Sequence, residues 1–111
     1  MNTHQMKLQL SPFEKIKNGT KTIEIRLNDE KRQLLKLGDE IEFSLITDPT
    51  QTIKIKILGL IKFGTFKEMF FAYPAGEYGS ESQNEWELMY QYYPVEDEKK
   101  YGVLAIRLRL V

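Results

Sequence analysis

Three side chains that can do chemistry stand close together in Gly19-Thr20-Lys21-Thr22-Ile23-Glu24-Ile25-Arg26. Lys21 brings an ammonium, Glu24 a carboxylate and Arg26 a guanidinium. Glu24 and Arg26 are two residues apart in an alternating stretch, so they share one strand face, about 7 Å apart by strand rise. Lys21 has the opposite parity. It sits where the chain leaves a turn, so it can curl over the rim of a sheet instead of following the pleat. The two cations suit phosphate or carbonyl oxygens, and the carboxylate can accept from the exocyclic amine of a base. The same groups can supply a base and an oxyanion donor for hydrolysis. An exposed ladder of ion pairs, worth little to stability, is the plainer reading of the spacing.

The elements around the segment follow from punctuation and periodicity. Ser11-Pro12-Phe13-Glu14 reads as a capping box that opens a short helix over residues 12–18, and Gly19 supplies its stop. Thr22 to Leu27 alternates as a strand, with Ile23, Ile25 and Leu27 toward a core. Glu40 to Leu45 and Thr52 to Ile57 alternate likewise, separated by a turn signal at Asp48-Pro49-Thr50. Gly59 marks a bulge or bend. Thr65-Phe66-Lys67-Glu68 and Ser82-Gln83-Asn84-Glu85 are two further capping boxes. After the second, Trp86, Met89, Tyr90 and Tyr93 recur at the spacing of one helix face, which assigns Trp86 to the core. Val95 to Tyr101 suits a further helical turn, and Val103 to Leu110 a last strand. Arg107 and Arg109 alternate out of that strand and would extend a basic stripe if it lies beside the motif. Each strand is expected to have one buried and one wet face. The sum is a mainly β, α+β domain: a small curled sheet or barrel with peripheral helices.

Composition sets the remaining bounds. The chain has 111 residues and no cysteine, which suits one domain over 1–111 and excludes disulfide and thiolate chemistry. Lys and Arg number 16 and Asp and Glu number 16, so a zero net charge argues against bulk duplex binding while allowing a local basic cleft. No apolar run approaches the ~18 residues of a membrane span, and no signal sequence opens the chain; a cytoplasmic protein is expected. Residues 1–6 are expected to be loose. His4, the one histidine, is expected to be exposed and idle there. No spacing suggests a metal site, and no organic cofactor is implied.

The segment 19–26 matches the Gly-x-Lys-x-x-Glu-x-Arg signature, and the chain resembles the ASCH (activating signal cointegrator homology) domains, relatives of the PUA RNA-binding domain. Leu37-Gly38-Asp39-Glu40-Ile41-Glu42-Phe43 and Gly102-Val103-Leu104-Ala105-Ile106 extend the likeness over nearly the whole chain. The resemblance implies a PUA-like β-barrel with a cleft lined by the motif. It implies recognition of RNA or of a nucleoside or nucleotide. Hydrolysis of N4-acetylcytidine-like nucleosides is the second activity it suggests and a ribonuclease the third; apart from the resemblance, a protein-interaction module whose motif merely stabilises the fold is a further alternative. In a hydrolase Lys21 and Glu24 would be catalytic. Arg26, Thr22, Tyr78 and a later glutamate, Glu77 or Glu81, would bind the ligand, with Tyr78 stacking a base. The amidohydrolase members carry threonine where this chain has Glu24, a departure that weighs toward binding.

Overall fold

Alternating apolar residues build five strands, and the sheet they form is curled and open. The computed structural model describes residues 1–111. Strands β1 (Thr3–Leu8), β2 (Ile23–Leu27), β3 (Glu40–Leu45), β4 (Asp48–Phe63) and β5 (Val103–Leu110) lie in the order β1-β3-β4-β5-β2. β1 runs parallel to β3, and every other pairing is antiparallel. Helix α1 (Leu10–Lys17) joins β1 to β2, α2 (Phe66–Ala72) follows β4, and α3 (Val95–Tyr101) leads into β5. Short 3₁₀ helices occupy Arg32–Leu34, Ala75–Tyr78 and Gln83–Gln91. This is a half-barrel with peripheral helices, the architecture expected, though α1 and α2 pack on its faces more than at its rims. No helix is long and apolar enough to cross a membrane.

The expectation of one wet face per strand fails at β2 and β5, which are covered on both sides. Inside the curl, Phe43, Ile55, Leu104 and Ile106 pack with Phe13 and Ile16 of α1. Outside it, Ile23, Ile25, Val103 and Ala105 pack beneath Phe66, Met69 and Phe70 of α2. β5 serves both cores, which is why Val103 to Ile106 is an unbroken apolar run. Glu98 of α3 ties the outer layer together. Its buried carboxylate accepts from the Phe66 backbone N–H at 2.8 Å and from the Tyr90 hydroxyl at 2.8 and 3.1 Å. Glu98→Ala strands that N–H and is expected to cost about 2–3 kcal/mol in urea unfolding. An unchanged midpoint would show that solvent replaces the carboxylate.

Several boundaries differ from expectation for local reasons. The first helix starts at Leu10, with Gln9 before it and no side-chain cap. Ser11 and Pro12 fall inside the first turn, where a missing N–H costs nothing. The other two caps form: Thr65 accepts from Glu68 N–H at 3.1 Å, and Ser82 and Glu85 close a reciprocal box. That box opens a 3₁₀ helix instead of an α-helix. The β3–β4 hairpin turns at residues 46 and 47, and Asp48 and Pro49 already belong to β4. Gly59 does mark a bulge, where the β4–β5 register slips and leaves Leu58 exposed.

The amino terminus is ordered into the sheet. Residues 3–8 form β1 because the free edge of β3 offers partners and because Met6 and Leu8 reach the inner core. His4 is engaged: its Nε2 lies 2.8 Å from Asp39 Oδ2. Asp39 also accepts from the N–H groups of Asn2 and Lys36. The bond to His4, then those from Asn2 and Lys36, hold its carboxyl below the ordinary 3.8. A carboxyl lowered by folding stabilises the fold above its ordinary value and loses that contribution as pH falls. Amide exchange in β1 is therefore expected to accelerate below pH 3.8 before the rest of the sheet responds, and Asp39→Asn is expected to exchange fast already at neutral pH. Equal β1 protection in the two proteins at neutral pH would contradict this.

Candidate functional site

On β2 the inner face carries charge. Glu24 and Arg26 stand opposite Ile106 and Leu104 of β5, and paired residues share a face. Ile106 and Leu104 belong to the inner core. The alternation thus delivers a carboxylate and a guanidinium to positions where a barrel would hold apolar side chains. Such burial is costly unless the charges are paired. Glu24 is 5% exposed, and each of its oxygens accepts from one cation. Oε1 lies 3.0 Å from Lys21 Nζ and Oε2 lies 2.8 Å from Arg26 Nε. Arg26 Nη2 also donates to the Lys7 carbonyl at 2.8 Å. β1 and β2 are the two free edges of the sheet, so this guanidinium bridges the seam that no backbone ladder closes.

Two glycines place Lys21. Gly19 adopts φ +85° at the end of α1, and the Thr20 and Lys21 amides both donate to the Lys15 carbonyl. That tight exit carries Lys21 over the rim to the Glu24 face, instead of the opposite face its parity alone would give it. Opposite, the 3₁₀ helix Ala75–Tyr78 ends at Gly79, again at φ +85°. Lys21 Nζ donates to the Tyr78 carbonyl at 3.0 Å and Lys15 Nζ to the Gly79 carbonyl at 2.9 Å. Two cations thus satisfy the carbonyl end of that helix. A Cβ on Gly79 would meet Lys21 Cδ at 3.2 Å, so the lysine stem lies flat on this turn.

The charges set one another. Burial pushes the Glu24 carboxyl up, but Lys21 and then Arg26 outweigh it and hold it below 4.5. Burial pulls Arg26 down, and Glu24 more than offsets this. Burial raises the Tyr93 phenol, and the nearby Arg26 opposes the rise.

Between the two sheet edges lies a cleft of about 560 Å³, within the size of small-ligand sites. Lys7, Lys15, Lys21 and Arg26 line it, against Glu24 as its one carboxylate. Met89, Tyr92 and Tyr93 form part of its wall, and Tyr92 is 65% exposed. Lys21, Glu24 and Arg26 are thus brought together, and of the other singled-out residues only Tyr78 reaches the cleft. Tyr78 lines the wall, but its ring is 2% exposed and packs 4.6 Å from Phe70. Its hydroxyl donates to the Phe70 carbonyl, and burial pushes the phenol up to about 12. It offers no free face for stacking. Thr22 precedes the first paired residue of β2, is exposed, and lies outside the cleft lining. Glu77 pairs with Arg107 at 3.6 Å, and Glu81 is exposed beside Glu85; neither lines the cleft. Arg107 sits opposite Ile23 on the outer face, over the Tyr73 ring, so no basic stripe runs from β5 into the cleft. Trp86 packs against the outer core, edge-on to Tyr90. No group of three metal-capable side chains occurs.

Tyr92 was hidden in the sequence because it falls off the apolar stripe that ends at Tyr93. That very displacement is the signal for an exposed aromatic. Lys7 and Lys15 gave no signal, since each reaches the cleft only through the chain's return.

The chain belongs to the ASCH domain family, which it matches over residues 6–111. No curated protein matches it in sequence. The crystal structure of hypothetical protein PH0355 is 38% identical, with a TM-score of 0.87 and full coverage of both chains. The solution structure of protein PF0455 from Pyrococcus furiosus is 32% identical over 98% of this chain and 97% of that one, with a TM-score of 0.75. A mutant ZmASCH protein from Zymomonas mobilis shares the fold at 16% identity and a TM-score of 0.70, over 96% of this chain and 67% of that one.

Proposed function

We propose that this ASCH domain binds single-stranded RNA or a nucleoside-like ligand, with a base seated in the cleft between β1 and β2. One observation carries the reading: a buried carboxylate, pinned between two cations, faces a cleft whose other charges are all positive and whose wall includes an exposed tyrosine. Glu24 has lone pairs left to accept from an exocyclic amine. Arg26 has donors left beyond Glu24 and Lys7 for carbonyl or phosphate oxygens. Tyr92 is the stacking surface that single-stranded recognition calls for.

Binding is favoured over hydrolysis by the same contacts. Both Glu24 oxygens are engaged by cations, both Lys21 partners are acceptors, and no second carboxylate lines the cleft. That leaves no unengaged general base. His4, committed to Asp39 and outside the cleft lining, does not serve a ribonuclease. The test pairs calorimetric titration of a mixed-sequence single-stranded RNA hexamer with an incubation in N4-acetylcytidine. Saturable RNA binding without release of cytidine or acetate is expected. Turnover that Lys21→Ala abolishes would replace binding by amidohydrolysis. Absence of both binding and turnover would remove the cleft's proposed role.

A further inference from the structure

A second hollow, of about 330 Å³, adjoins the cleft. The two share Lys7 and Arg26 as a common wall, and the second runs back along β1 from Lys7 to Gln5. Four cations line it, Lys7, Arg26, Lys31 and Arg32, with Gln5 and Ser44 as neutral polar groups and no carboxylate. A chain of zero net charge has gathered four positive groups around one small space. Lys7 and Lys31 form no ion pair. Arg32 is only half satisfied. Its Nη1 reaches Asp29 at a long 3.3 Å, and its buried Nε has no hydrogen-bond partner. A buried donor without an acceptor calls for an explanation.

We infer that this hollow is a phosphate site, and that it takes the phosphate of the nucleotide or RNA strand whose base enters the cleft. The inference rests on the proposed function for its second half. A phosphate brings several acceptor oxygens to converging donors, which Lys7, Lys31 and the Arg32 guanidinium provide. Arg26, shared by both spaces, would sit between base and phosphate. The ligand class then narrows from nucleosides to phosphorylated nucleotides and RNA.

The experiment titrates the protein with inorganic phosphate, cytidine and cytidine 5′-monophosphate, following backbone amide shifts by NMR. The comparison protein is the double variant Lys7→Ala, Lys31→Ala. Both side chains are exposed, and the variant keeps the Lys7 carbonyl that holds Arg26. Phosphate and the mononucleotide are expected to shift the Lys31, Arg32 and Ser44 amides, and the variant to lose those shifts. The mononucleotide is expected to bind about tenfold more tightly than cytidine, the order of one charge-assisted contact. For RNA, the variant is expected to flatten the salt dependence by about 1.4, at about 0.7 per lost contact. Phosphate and mononucleotide both leaving those amides unmoved would overturn the site, and so would shifts that persist in the variant. A mononucleotide no tighter than cytidine would overturn the link to the cleft. If cytidine moves nothing while phosphate still shifts Arg32, the phosphate site stands and the base-binding reading is what fails.

Discussion

Glu24→Ala is expected to unfold about 3–5 kcal/mol more easily than the wild type in urea, the largest loss among single changes at the cleft. The carboxylate is the only counter-charge that Lys21 and Arg26 have in the seam, and both its oxygens are used. Its removal leaves an ammonium and a guanidinium side by side, each largely out of water. The pH dependence has a defined sign. The Glu24 carboxyl is held below its ordinary 4.5, so its contribution is complete above that value and fades as pH falls through the lowered one. The gap between wild type and variant should therefore narrow only below pH 4.5. A buried ion network is often replaceable by apolar groups of similar size. The triple variant Lys21→Met, Glu24→Leu, Arg26→Met is expected to recover most of the lost stability and none of the RNA binding. A triple variant as stable as wild type that still binds RNA would make the motif purely structural. A Glu24→Ala loss below about 1 kcal/mol would mean that the cations relax into water.

Tyr92→Ala is expected to weaken binding of single-stranded RNA by about tenfold to a hundredfold, the usual worth of one base stacked on an aromatic ring. Stability should stay within about 0.5 kcal/mol, because the side chain is exposed and Tyr92 caps the 3₁₀ helix Gln83–Gln91 through its backbone N–H, which alanine keeps. Tyr92→Phe should bind like wild type, since the ring is the platform. Tyr78→Ala should do the reverse: it removes a buried ring and a hydroxyl bonded to the Phe70 carbonyl, so it costs stability first. Unchanged RNA affinity in Tyr92→Ala would show that no base stacks at this wall.

Four of the five strands, two of the three capping boxes and the Gly59 bulge were legible because each is a local pattern with a local cause. So was the pairing of Glu24 with Arg26, since period two puts them on one face. What the pleat could not say was which face was which. Glu24 and Arg26 point into the curl because β2 pairs with β5 in a register that sets them beside Ile106 and Leu104. That register is a property of the closed topology. β1 was missed for a related reason. Its six residues hold only two core side chains, and its ladder exists only once β3 is in place some thirty residues later. Glu77 looked suitable by position, yet its partner Arg107 lies across the outer face, thirty residues further along the chain.

A cross-linking experiment tests the cleft most directly. A single-stranded RNA hexamer carrying 4-thiouridine is bound to the protein, irradiated, and its adduct located by peptide mass spectrometry. The expected adduct lies on Tyr92 or Tyr93, at the cleft wall, and disappears when unlabelled RNA is in excess. Specific adducts confined to the outer face, at Tyr73 or Trp86, with none on Tyr92 or Tyr93, would contradict a base-binding cleft between β1 and β2.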